Sequence, residues 1–222
     1  MRHRWNAKLT DLAAALPLFA LLGLAIAHLT LQVTEECRKL AQSFHAAAVL
    51  TVLSQTAVIV WLGLQFVLVI VRLPPEQKAP GVLPRAAALF GAYCTVAFFF
   101  IPRVTQSVPI QVVSATLVMG GTVAATYVCW WLGRSFSILP QARRLVTGGP
   151  YRFIRHPLYV AEQIVMFGIM LQFAQPWSLV VALGSAVTQF PRMRYEEQIL
   201  SQAYPSYQEY AARTARLIPH VY

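Results

Sequence analysis

Charge is what this sequence has least of. Lys, Arg, Asp and Glu together make up 12% of its 222 residues, half the share of roughly 25% carried by an ordinary soluble domain. Acidic residues are the scarcer sign, 8 against 18 basic ones, which leaves a formal net charge of +10. Cysteine is also sparse. Cys37, Cys94 and Cys129 stand far apart without CxxC or metal-ligand spacing, so the sequence offers neither a disulfide framework nor a thiolate metal site. Two of them fall in apolar blocks and read as small buried side chains. No internal repeat or low-complexity segment divides the chain, and its length suits one compact helical domain. The basic excess does not point to nucleic acid, because no soluble basic domain or RNA-binding motif carries it. It lies in short segments beside apolar blocks, where lipid headgroups and topology account for it.

What fills the chain is apolar surface. Hydrophobic residues make up 57% and the mean hydropathy is +0.55. The first apolar block runs from about Leu12 to Leu31, too long for a signal-peptide core of roughly 7–15 residues. The second covers Ala46 to Val71 and ends in a polar loop with paired prolines, Pro74-Pro75, which cannot continue a helix. The third runs from Ala86 to Ile101 and the fourth from about Ile110 to Leu132. After a polar, glycine-bearing stretch comes Leu158 to Phe190, too long for one untilted span of about 20 residues. Gln175-Pro176 breaks it into a helical hairpin, and a polar, amphipathic stretch from Pro191 to Tyr222 follows. The expected fold is all-α, a polytopic bundle of about six spans. Residues 1–135 form the N-terminal four-span region, and 136–222 a C-terminal region with hairpin and tail. With six spans, 15 of the 18 Lys and Arg fall on the side of the termini, leaving Arg38, Lys39 and Arg103 on the other. This asymmetry predicts two cytoplasmic termini.

The chemistry-bearing residues all follow the fourth block. Gly148 and Gly149 allow a sharp turn or close backbone approach. His156 precedes Pro157, a residue suited to the first turn of a helix whose free N–H groups attract an anion. Arg192 and Glu196, four residues apart, share a helical face, and a tyrosine-rich tail runs from Tyr204 to Tyr210. Singly, each has a plainer reading: a headgroup contact at Arg155-His156, interfacial anchors in the tyrosines, a solvated pair at Arg192 and Glu196.

Together their order is distinctive. Leu145-Val146, Tyr151, Arg155-His156-Pro157-Leu158-Tyr159, a helical hairpin, Arg192-x-x-x-Glu196-Glu197, the tyrosine tail and Ile218-Pro219 resemble the isoprenylcysteine carboxyl methyltransferase family. These are integral membrane enzymes that use S-adenosylmethionine and are related to phospholipid N-methyltransferases. The resemblance covers about Leu145 to Pro219. It implies a cytoplasmic cofactor pocket lined by Arg143, Arg144, Leu145, Val146, Tyr151, His156, Pro157, Leu158 and Tyr159, with Glu196 facing the methyl donor's ammonium. It implies Arg192 as the group that binds and orients the acceptor's carboxylate, and no metal. Arg143 stands where eukaryotic members have histidine, Ala161 where glycine is common, and Pro205 replaces a glycine.

A carboxylate acceptor is already ionised at neutral pH, so alignment rather than a base is the catalytic need. An amine acceptor would need deprotonation, with Glu197 as the first candidate. The resemblance therefore implies carboxyl O-methylation of an isoprenylcysteine-like or other lipid-like acceptor. Phospholipid headgroup N-methylation, an NADPH-dependent reductase of similar fold, and a non-catalytic membrane protein remain open. Such a protein would be multi-pass, in the inner or plasma membrane of a bacterium or the endoplasmic reticulum of a eukaryote.

Overall fold

A computed structural model describes residues 2–104 and 106–219, so the last three residues of the expected tail lie outside the description. The elements are helical apart from one short ribbon. In order they are α1 (Arg2–Ala13), α2 (Leu16–Gln42), α3 (Ala46–Val71), β1 (Gln77–Lys78), α4 (Leu83–Tyr93), α5 (Val108–Leu132), β2 (Gln141–Ala142), α6 (Pro157–Met170), α7 (Trp177–Ala203) and α8 (Tyr207–Arg213).

Among the described residues, three helices are long and apolar enough to cross a membrane: α2, α3, and α5 with the turn that follows it. α6 is apolar but shorter. The first apolar block does not match one helix. A turn at Ala14-Ala15 separates α1 from α2, where Pro17 fits the first turn, and α2 then continues beyond Leu31. Its polar end is supported by Glu35–Arg38 and Glu36–Lys39 pairs at helical spacing. The third block also divides, into α4 and a 3-10 segment, Cys94–Phe100. That segment reads Cys-Thr-Val-Ala-Phe-Phe-Phe, rich in β-branched and aromatic residues that lose rotamer freedom in an α-helix. The helical hairpin falls where Gln175-Pro176 places it, between α6 and α7. α7 runs through Pro191, which removes one backbone donor, and continues to Ala203.

α2, α3 and α5 share one apolar core around Leu22, Val69, Cys129 and Phe136. A second, around Phe98, Met166, Phe173 and Ala182, joins the 3-10 segment to the hairpin. α5 and α6 approach closely because small residues face each other. A methyl group on Gly121 or Gly168 would strike Val165 or Val118 at 2.8 Å, and Ser114 donates to the Gly168 carbonyl at 2.8 Å.

Polar contacts gather at the end where α1, α3 and α5 meet. Lys8 donates to the carbonyls of Ile70 and Arg72, and Arg134 to that of Val71. Asp11, 2% exposed, binds Arg72 Nε at 2.8 Å and Arg143 at 3.1 Å. Towards the other end of the α2–α3 pair, Arg103 and Gln55 both donate to Gln32. The ribbon pairs Gln77 with Ala142 and Lys78 with Gln141, antiparallel, and delivers Arg143 to the Asp11 cluster.

Candidate active site

The loop after α5 is shaped by one contact. Gly149 has φ +59°, and a Cβ there would lie 2.3 Å from the Trp131 indole. Only glycine satisfies both the left-handed backbone and the close approach. The loop then enters a turn that buries Tyr151, whose carbonyl accepts from the Tyr210 hydroxyl at 2.7 Å.

The C-terminal tail returns beside the start of α6. Arg155 and His156 donate backbone N–H groups to the carbonyls of Ala215 and Arg216 at 2.8 and 3.2 Å, forming a short parallel bridge of Ile154 with Ala215. The side chains continue the clasp. Arg216 binds both oxygens of Glu197, Nε at 3.0 Å and the terminal nitrogen at 2.6 Å. Arg155 lies 3.3 Å from the same carboxylate. His156 Nε2 is 3.0 Å from Glu197 Oε1; an ionised carboxylate only accepts, so the imidazole is the donor. Burial raises the Glu197 pKa, but His156, Arg216 and Arg155 outweigh it and hold it at about 2.

Glu196 has a different environment. Its carboxylate, 39% exposed, accepts from the Tyr159 hydroxyl at 2.9 Å. The Tyr159 ring stacks on His156, centroids 5.3 Å apart and planes within 9°. The Arg192 guanidinium also lies over the Tyr159 ring, 4.7 Å from the centroid. Arg192 is 6% exposed and donates to Gln189 Oε1 at 2.9 Å, while its Nε makes no hydrogen bond. Gly91 of α4 makes room for it, since a Cβ there would sit 2.7 Å from Arg192 Cδ.

Two adjoining pockets result. The larger is an open cleft between Leu132, the 141–146 loop, Tyr151, His156, Leu200 and the tail tyrosines Tyr207 and Tyr210. The smaller, a narrow crevice, lies between Ala88 of α4, the 137–140 loop, Tyr159 and Arg192. Glu196 borders both. Burial keeps the hydroxyls of Tyr151, Tyr207 and Tyr210 protonated well above the usual phenol range, so the larger pocket presents aromatic walls and hydrogen-bond donors rather than bases. Among the described residues no group of three His, Cys, Asp or Glu side chains is placed to hold a metal ion.

Residues 103–207, which supply most of both pockets, match the phospholipid methyltransferase family model. The chain is 32% identical over 130 residues to protein-S-isoprenylcysteine O-methyltransferase B of Arabidopsis thaliana, covering 55% of this chain and 66% of that one. It is 37% identical over 97 residues to the A form from the same plant, covering 40% and 49%. With the cobalt-zinc-cadmium resistance protein CzcN of Cupriavidus metallidurans it shares 36% identity over 78 residues, 35% of this chain and 36% of that one. The chain is a member of the isoprenylcysteine carboxyl methyltransferase-like family. It spans between about a third and two thirds of the length of these relatives.

Most of the residues that the family resemblance singles out border one of the two pockets. Arg143, Arg144, Val146, Tyr151, His156 and Glu196 line the larger pocket, and Tyr159, Arg192 and Glu196 the smaller. Leu145, Pro157, Leu158 and Glu197 line neither. Leu158 packs on the α2–α3–α5 core. The Arg143 guanidinium is turned to Asp11 and the Leu73 carbonyl, so this departure from the family pattern fastens the pocket to α1. Glu197 is enclosed by three cationic or donor side chains rather than facing an acceptor.

Sequence reasoning missed Asp11, Arg155, Glu162, Gln189 and Arg216 as parts of the site. Two had visible signals. Asp11 is the sole aspartate, and Glu162 is the sole acidic residue within Leu158–Phe190. An ionisable group in an apolar segment needs a partner, and Glu162 has Gln189 and Arg192.

Proposed function

We propose that this family member transfers a methyl group from S-adenosylmethionine to the carboxylate of an amphipathic, isoprenylcysteine-like acceptor. The observation that carries this reading is the buried Arg192 guanidinium, with Nε unpartnered, in a pocket that shares Glu196 with the larger cleft. A planar guanidinium with free donors suits two-point binding of a carboxylate.

The larger cleft has groups that fit the donor. Glu196 offers an acceptor-only carboxylate for its ammonium. The tyrosines Tyr151, Tyr207 and Tyr210 offer ring faces. When bound, the donor supplies an electrophilic methyl group on a sulfonium. Arg192 then holds an already ionised nucleophile, Tyr159 and Glu196 define the boundary it reaches across, and no general base is required. We assign Glu197 to positioning: the clasp fixes His156 and the tail against the cleft. The reading also places six spans in the membrane, with the pocket and both termini on the cytoplasmic side. The basic asymmetry supports this, and the acceptor's apolar part would lie along the apolar helices.

Phospholipid headgroup N-methylation is the second reading, favoured by the description of the matching family model. It needs a base for the ammonium, and Glu197, held near 2 and enclosed by cations, is poorly suited to that task. The test is methyl transfer from labelled S-adenosylmethionine by purified protein in lipid nanodiscs. N-acetyl-S-farnesylcysteine should yield a base-labile ester, with no label on phosphatidylethanolamine; label on the amine alone would transfer the assignment to the second reading.

A further inference from the structure

Glu162 stands where no family motif residue and no part of the donor cleft needs it. It lies in the apolar helix α6, with Oε2 3.9 Å from an Arg192 nitrogen. Gln189, itself 5% exposed, bridges the two. Its amide oxygen accepts from Arg192 at 2.9 Å, and its amide nitrogen donates to Glu162 Oε2 at 3.5 Å. Because arginine only donates and carboxylate only accepts, the bridge has one workable orientation. The result is a buried cation with a resident counter-ion held just beyond direct hydrogen-bond range, while Arg192 Nε is left unpartnered.

We propose that Glu162 is a positioning residue that balances the charge of Arg192 whenever no acceptor carboxylate is bound, and thereby limits how much more tightly the acid is held than the ester. The inference rests on the carboxyl-methylation reading and deepens it. In that reaction a carboxylate oxygen forms a bond to the methyl carbon while the carbon–sulfur bond breaks. The bonding pair goes to sulfur, and no proton moves. The acceptor thus loses its negative charge at the moment of transfer, and Arg192 would be left as an uncompensated buried cation, a costly state. With Glu162 in place, the ester faces an already neutralised pair and is not retained by charge. The acid, in turn, must compete with a resident carboxylate, which keeps small free anions from filling the pocket.

The test uses full-length protein in nanodiscs containing S-adenosylhomocysteine, so that binding is read without turnover. Dissociation constants for N-acetyl-S-farnesylcysteine and its methyl ester are measured for wild type, Glu162→Gln, Glu162→Asp and Arg192→Lys. Removing the competing charge in Glu162→Gln should tighten the acid on the order of tenfold, leave the ester unchanged, and make acid binding sensitive to added acetate. Glu162→Asp should resemble wild type, and S-adenosylhomocysteine affinity should be the same in all four. An unchanged acid-to-ester ratio in Glu162→Gln, weaker acid binding, or a loss of S-adenosylhomocysteine binding overturns the proposal. Wild type that binds acid no better than ester, with Arg192→Lys indistinguishable, overturns the carboxylate reading itself, and Glu162 falls with it.

Discussion

Arg216 and Glu197 form a two-point ion pair, at 3.0 and 2.6 Å, that ties the C-terminal tail to α7. His156 donates to the same carboxylate, so one side chain joins the loop before α6, α7 and the tail. The neighbouring Glu196, one residue away, is left partly open, accepting from Tyr159 at 2.9 Å with His156 Nδ1 farther off at 3.9 Å. Adjacent carboxylates therefore divide into one that builds the site and one left open at the border of both pockets.

The clasp should be pH-dependent in a defined direction. Glu197 is lowered from an ordinary 4.5 to about 2, so folding favours its ionised form. Its stabilisation is fully present above about 4.5 and is lost as pH falls towards 2. Thermal melts of wild type and Glu197→Gln should differ most above pH 4.5 and converge below it. A difference that grows on acidification would contradict the ion-pair account.

Glu196→Gln removes the charge proposed to face the donor's ammonium. A hydrogen bond to a charged group contributes about 1.5–3 kcal/mol, so S-adenosylmethionine should bind roughly 10- to 100-fold more weakly while the melting temperature changes little. Calorimetry with unchanged affinity would remove Glu196 from the donor site.

Gly149→Ala combines a left-handed φ with a collision against Trp131. Backbone strain of this kind costs about 1–3 kcal/mol, and the loop it displaces lines the larger cleft. Weaker S-adenosylmethionine binding and faster proteolysis in the 143–152 loop are expected. Normal behaviour in both assays would show that the loop conformation is not needed.

Much of this architecture was legible because it depends on local rules. The hairpin follows from Gln175-Pro176, the start of α6 from His156-Pro157, and the shared face of Arg192 and Glu196 from helical spacing. What local rules do not reveal depends on partners distant in sequence. Arg143 faces Asp11 across 132 positions, and Glu197 meets Arg216 only because the tail folds back beside Ile154. Hydropathy also could not reveal that Ala86–Ile101 divides into α4 and a 3-10 segment, since both halves are equally apolar.

The six-span arrangement is tested by membrane-impermeant labelling of single cysteines, in an otherwise cysteine-free chain, introduced beside Ser43 and beside Lys78. Labelling from outside at Ser43 but not at Lys78 is expected. The reverse pattern would invert the topology.

The most direct test of the proposed chemistry is single-turnover methyl transfer by Arg192→Lys, with an acid and an amine acceptor side by side. Lysine keeps the charge but loses the planar fork, and a displacement of about 1 Å could cost on the order of 100-fold in transfer. The account predicts that loss for N-acetyl-S-farnesylcysteine, with S-adenosylmethionine affinity near normal and no comparable activity on phosphatidylethanolamine. Lost donor binding with undiminished transfer in the bound complex, or an unaffected acid reaction, would contradict it.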